Sequence, residues 1–218
     1  MTGVLVLAGA VLGLVLGPWL AATTVRLAAG HPAARPSAVR TVVTSAGAAA
    51  AVATGPALVG GRPAVVALGW FGAAAVVLAG VDLARHRLPD RVLLPAAVVC
   101  ATALFADAAV TGEWTAVLRA GVAAAVSYGL ATGARLLSPA GLGGGDVKLL
   151  GLLGLVLGWA GWGVLMAGVF AGLLVGAGGA LLLITTGRAG WRTRVAFGPP
   201  LLLGAYVALF LGAPFPGP

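Results

Sequence analysis

The chain has 218 residues, 61% of them hydrophobic and 8% charged, with a formal net charge of +8 and a mean hydropathy of +1.10. A soluble domain of this length does not cover so much apolar surface with 13 Lys and Arg and 5 Asp and Glu, so this composition excludes one and indicates a polytopic membrane protein. In a soluble protein the positive charge would suggest nucleic acid. In a membrane protein it follows from the collection of Lys and Arg in cytoplasmic loops, and no nucleic-acid partner is inferred.

A crossing needs about 20 apolar residues, which leaves room for about seven to nine helices. Apolar runs and charged breaks place eight of them, roughly at 3–25, 41–60, 63–82, 91–110, 114–137, 147–160, 162–186 and 195–212. The fold class expected is all-α, a single membrane helical bundle over 1–218. The sixth run is short for a full crossing and would tilt, thin the bilayer locally or start inside a cavity. No basic residue precedes the first run and Arg26 follows it, which argues against a cleaved signal peptide and for an N-terminus outside. With eight spans the C-terminus is also outside. Arg26, Arg35, Arg40, Arg85, Arg87, Arg91, Arg135, Lys148, Arg188, Arg192 and Arg194 then fall inside, leaving only Arg62 and Arg119 near the outer face. Asp107 and Glu113 read as a solvated outer loop. Residues 28–40, with His31-Pro32 and Arg35-Pro36, read as a short cytoplasmic linker.

Glycines recur at four-residue spacing, as Gly9, Gly13 and Gly17, and as Gly168, Gly172 and Gly176. Such stripes let membrane helices approach closely and here read as packing. Cys100, the one cysteine, lies in an apolar run and reads as a buried, inert thiol. It excludes an intrachain disulfide or a cysteine-based zinc site. His31 and His86 sit in basic loops without carboxylate-rich metal spacing, so neither a metal nor another cofactor is assigned.

Chemistry concentrates at Asp82 and Asp146. Asp82 closes the third run in Val81-Asp82-Leu83-Ala84-Arg85-His86-Arg87-Leu88-Pro89-Asp90, and Asp146 follows Gly141-Leu142-Gly143-Gly144-Gly145 and precedes Val147-Lys148. A carboxylate beside hydrocarbon is expensive and marks function, a charge partner or a water-filled cavity. On the topology above both lie at the cytoplasmic face, although 64 residues apart in sequence. Two carboxyls in one site share a proton, so one activates water while the other protonates a leaving nitrogen. Ordinary loop salt bridges, Asp82 to Arg85 and Asp146 to Lys148, would also account for the charges. Gly143, Gly144 and Gly145 weigh toward function, because bare backbone allows positive φ and close approach of an extended substrate to Asp146. The run lacks the spacing of a phosphate-binding loop. Lys148 would tune the acid, bind substrate carbonyls or anchor the topology. Asp90, after Leu88-Pro89 and before an apolar run, is the rival to Asp82 for the first acid, but its place before a helical run reads as a helix N-cap.

These stretches resemble the two active-site signatures of the type IV prepilin peptidases, membrane aspartyl proteases. Gly143-x-Gly145-Asp146 alone also occurs in presenilin-like proteases. Asp82 with Leu88-Pro89-Asp90, and Ala196-Phe197-Gly198-Pro199-Pro200-Leu201 near the C-terminus, narrow the resemblance. The first helix, with Gly13-Leu14-Val15-Leu16-Gly17 and Val25-Arg26-Leu27, is loosely similar too. The resemblance implies Asp82 and Asp146 as the catalytic pair, with Gly143, Gly144, Gly145, Lys148 and Asp90 in support. It also implies a prepilin-like or pseudopilin substrate with a basic leader and an apolar helix, cut in the bacterial plasma membrane at the cytoplasmic face. Many members carry a cysteine-bearing cytoplasmic domain after the first helix, associated with N-methylation. The 28–40 linker has no cysteine, so methylation is expected to be absent. Two other classes fit part of the pattern: a proton- or cation-coupled transporter using the same acids, and a scaffolding subunit. The transporter would place its acids at the midplane, and the scaffold leaves the glycine-Asp-Lys cluster without a purpose.

Overall fold

The computed structural model describes residues 2–138, 142–188, 190 and 196–212. These form eight helices: α1 (Thr2–Ala29), α2 (Ala38–Val59), α3 (Ala64–Arg85), α4 (Asp90–Thr111), α5 (Trp114–Leu137), α6 (Gly144–Ala160), α7 (Trp162–Thr185) and α8 (Gly198–Leu211). There is no strand among the described residues. Six of the helices are long and apolar enough to cross a membrane; α6 and α8, with 17 and 14 residues, are shorter. The order and number match the sequence reading. Its loop at Arg192 and Arg194, Gly141 of the glycine run and residue 195 of the last run lie outside the described residues.

Consecutive helices pack as antiparallel pairs: α1 on α2, α5 on α6 and α7 on α8. Small residues set each contact. A Cβ on Gly13 would strike Ala48 and Ala49, one on Gly154 would meet the Ala123 carbonyl oxygen at 2.6 Å, and one on Gly172 would meet Leu201 Cα at 2.7 Å. Lipid is as apolar as leucine, so close backbone approach rather than water exclusion brings such helices together. The two glycine stripes are therefore packing faces, of α1 on α2 and of α7 on α8. α3 is the central element, packed against α1, α2, α4 and α8. Its Phe71, Leu68 and Leu78 are buried with Leu149, Leu153 and Leu157 of α6 and Leu201 and Leu209 of α8. Large apolar side chains such as Val15, Leu130 and Phe170 face outward, as lipid contact requires.

The linker is shorter than 28–40, because α1 runs to Ala29 and α2 starts at Ala38. Ser37 caps α2, its hydroxyl accepting from the Arg40 amide at 3.3 Å. The reading of Asp107 as a solvated loop residue is corrected. Asp107 lies in α4 with no exposed surface. Its Oδ2 accepts from Arg62 at 2.6 Å and its Oδ1 from the Ala64 amide at 3.1 Å. Pro63, which precedes α3, has no side chain able to cap it, so a carboxylate from α4 supplies the acceptor. Arg62 neutralises that carboxylate.

Candidate active site

Asp82 and Asp146 come together from different elements. Asp82 is buried in the last turn of α3, whose end is set by His86 in a left-handed conformation (φ 53°), its amide donating to the Asp82 carbonyl at 2.7 Å. Histidine adopts that region more readily than bulky or β-branched residues, and it ends the helix four residues past the acid. Asp146 is in the first turn of α6. Both side chains line one cavity of about 880 Å³, open at one end of the bundle and walled also by Arg26, His31, His86, Arg91 and Lys148. The carboxylates are near enough to interact electrostatically.

Each carboxylate is held by one backbone amide. Asp146 Oδ2 accepts from the Gly143 amide at 3.2 Å. This is half of a capping box, since Gly143 has no side chain to return the bond. Asp82 Oδ2 accepts from the Gly198 amide at 2.9 Å, a buried bond across 116 residues of sequence. The Phe197-Gly198-Pro199-Pro200 segment explains that bond. Gly198 is the first residue of α8, and the two prolines after it have no amide hydrogen. The Leu201 amide already donates to the Phe197 carbonyl. The start of α8 thus has one outstanding donor, and it goes to Asp82. A Cβ on Gly198 would lie 2.8 Å from Asp82 Oδ2, so the approach requires glycine.

The salt bridges considered from sequence are replaced by another. Lys148 Nζ pairs with Asp90 Oδ2 at 2.6 Å, not with Asp146. Asp90 is accordingly not an N-cap. It is the first helical residue of α4, preceded by Pro89 without a side-chain cap, where its charge also suits the helix dipole. The pair is half-exposed, so it adds little stability by itself, about 0–1 kcal/mol. It does join the start of α4 to the start of α6.

Positive φ in the glycine run is likewise corrected. Gly143 has φ −68°, and neither Gly144 nor Gly145 has positive φ; both lie in the first turn of α6. Their bareness serves close packing by the chain itself. A Cβ on Gly145 would meet Leu88 Cβ at 2.8 Å, and one on Gly144 would meet Arg135 Nη1 at 2.6 Å. Leu88 is buried and lies also 3.3 Å from where a Gly198 Cβ would be. It is the wedge between the starts of α6 and α8, which carry or contact the two acids. No group of three or more His, Cys, Asp or Glu is placed to hold a metal among the described residues.

Sequence reasoning missed several of these parts. Arg119 donates from Nε to the Gly158 carbonyl at 2.7 Å and from Nη2 to the Trp159 carbonyl at 2.5 Å, closing the far end of α6. Leu88 and Gly198 were quoted within motifs but had no assigned contact, since both act across long sequence separations.

Fold and site define a polytopic helical membrane bundle with a paired-carboxylate cavity at one end of its helices. The family model described as the type IV leader peptidase family matches residues 63–191, and the chain belongs to that family. A protein named prepilin leader peptidase/N-methyltransferase from Burkholderia pseudomallei strain 1026b is 34% identical over 167 residues, covering 70% of this chain and 49% of its own length. The protein of the same name from strain K96243 matches to the same extent. The chain spans about half the length of these curated relatives. No solved structure matches it.

Proposed function

We propose that this chain is an aspartyl endopeptidase that removes the short basic leader of prepilin-like or pseudopilin proteins at the cytoplasmic face of the bacterial plasma membrane. The observation that carries the reading is one open cavity receiving two carboxylates, each oriented by a backbone amide and neither in an ion pair among the described residues. Two like charges so placed do not ionise together readily, and the pair holds one proton between them. The ionised member takes a proton from water, whose oxygen attacks the scissile carbonyl. The protonated member gives its proton to the departing nitrogen, and the pair regains its starting protonation through the proton it took. The amides of Gly143 and Gly198 fix one oxygen of each acid, so the other is available to water and substrate.

The charge distribution supports a cytoplasmic active face. Arg26, Arg87, Arg91 and Lys148 all line the cavity mouth, where the positive-inside rule collects such residues. Location at the end of the bundle also favours a hydrolase over a coupled transporter, whose acids belong near the midplane. Short connections between α1 and α2, without cysteine, support peptidase action without methylation.

The test is cleavage of a prepilin-like substrate by the purified protein. Asp82→Asn and Asp146→Asn should each reach the membrane at wild-type levels and lose at least about 10³-fold in cleavage rate, since an amide neither accepts water's proton nor shares one. Full activity in either variant removes that residue from the pair. The amine of the product, formed with S-adenosylmethionine present, should have the mass of the unmethylated peptide. A gain of one methyl group refutes that part.

A further inference from the structure

A second concavity, of about 950 Å³, runs along the lipid-facing side of α1 and α3. On α1 its lining extends from Leu5 to Thr23, about 27 Å along a helix axis, nearly the full depth of a bilayer's hydrocarbon. On α3 the lining includes Gly69, Trp70 and Ala73. Gly69 and Ala73 make a low floor, and a Cβ on Gly69 would meet nothing nearer than Val52 Cγ1 at 3.8 Å. Trp70 stands beside them, about half exposed. The groove ends at the first turns of α4, and there Arg91 lines both this groove and the carboxylate cavity.

We propose that this groove docks the membrane-spanning apolar helix of the substrate, so that the segment next to that helix passes Arg91 into the cavity of Asp82 and Asp146. This rests on the peptidase reading above. Three features select a helix over loosely ordered lipid. The groove has the length of one membrane span, and its small-residue floor permits the close backbone approach by which membrane helices recognise each other. It is also continuous with the site where the cut is made, so a helix lying in it brings its end to the acids. Holding the substrate by a part remote from the scissile bond spends binding energy on orientation there.

Two substrates test this: one with the full apolar helix, and a truncated peptide that ends shortly after the scissile bond. Gly69→Leu and Ala73→Leu raise the groove floor. Each should reduce kcat/KM for the helix-bearing substrate by a factor at least about tenfold larger than for the truncated one. Leu174→Trp, on the outward side of α7 away from the groove, should cleave both like wild type. A photo-crosslinking residue in place of Trp70, with Asp146→Asn to keep the substrate uncut, should capture the apolar helix of the substrate even if the filled variants fold poorly. Equal losses on both substrates, or adducts at position 70 with lipid alone, overturn the proposal while leaving the peptidase reading intact. If wild type cleaves neither substrate, the peptidase reading itself fails and the groove assignment falls with it.

Discussion

Gly198 shows how a backbone group at one residue does work that a side chain cannot. Its amide donates to Asp82 Oδ2 at 2.9 Å, and its missing Cβ leaves the oxygen room to sit there. Gly198→Ala keeps the donor and adds a methyl 2.8 Å from that oxygen, so the carboxylate has to turn away. Helix formation itself favours alanine over glycine, so folding should not suffer from local propensity. We expect near-normal membrane levels, an unchanged KM and a kcat lower by about a hundredfold, the usual scale for displacing a reacting group by about 1 Å. Wild-type kcat in purified Gly198→Ala would show that Asp82 needs no such placement. At this scale the sequence was legible where chemistry is local. Asp82 and Asp146 stood out because each is a charge beside an apolar run. The partners of Asp107 and Lys148 were not legible, because Arg62 in the α2–α3 connection and Asp90 at the start of α4 are 45 and 58 residues away. The glycines beside Asp146 were recognised as unusual, but not that Gly145 packs on Leu88 and Gly144 on Arg135, which come from other parts of the chain.

Among the elements, α6 carries Asp146 in its first turn, and it is secured at both ends. Its start is joined to α4 by Lys148 and Asp90 and wedged by Leu88, while its last carbonyls receive the Arg119 guanidinium from α5. Seventeen residues span about 26 Å, a little less than the hydrocarbon thickness, so the last carbonyls would otherwise face a region poor in water. Arg119→Met preserves the apolar stem and removes both bonds. It should destabilise the protein by about 2 kcal/mol, since charged hydrogen bonds of this kind each contribute roughly 1.5–3 kcal/mol, and some water reaches the vacated end. The check is thermal unfolding in detergent. An unchanged midpoint would mean those carbonyls are solvated well without the arginine. Elements were read from sequence to within a few residues because apolar runs alternate with charged breaks such as Arg26 to Arg40 and Arg85 to Arg91. The shortness of α6 was legible too. Its clamp was not, since an arginine near an expected outer face reads equally well as solvated.

For the whole molecule, pairwise helix packing and the placement of the two carboxylates are one construction. α7 does not touch either acid in any bond described above, yet it sets the position of α8. Gly168 faces Ala208, Gly172 faces Leu201, and Gly176 faces Phe197 and Pro200, with Gly204 of α8 against Gly172 in return. Through that seam α7 fixes the start of α8 and so the amide that holds Asp82. The spacing of these glycines was legible as a packing face, but not that the face ends beside Asp82, because that depends on where the start of α8 packs. Gly172→Val is the decisive change. Its Cβ would lie 2.7 Å from Leu201 Cα and 3.1 Å from the Pro200 carbonyl oxygen, both on the first turn of α8, so the helices have to separate. A seam held by direct backbone contact loses van der Waals contact when the helices separate, and membrane levels should fall. If the seam served assembly alone, the protein that does accumulate would cleave normally. Since separation also draws Gly198 from Asp82, we expect the cleavage rate per folded molecule to drop by about tenfold or more, measured against active protein quantified in the membrane. Gly163→Val, at the other end of α7 where a Cβ would meet nothing within 4 Å, should change neither quantity. Reduced levels of Gly172→Val with full activity per molecule would separate packing from catalysis and place the control of Asp82 in α8 alone.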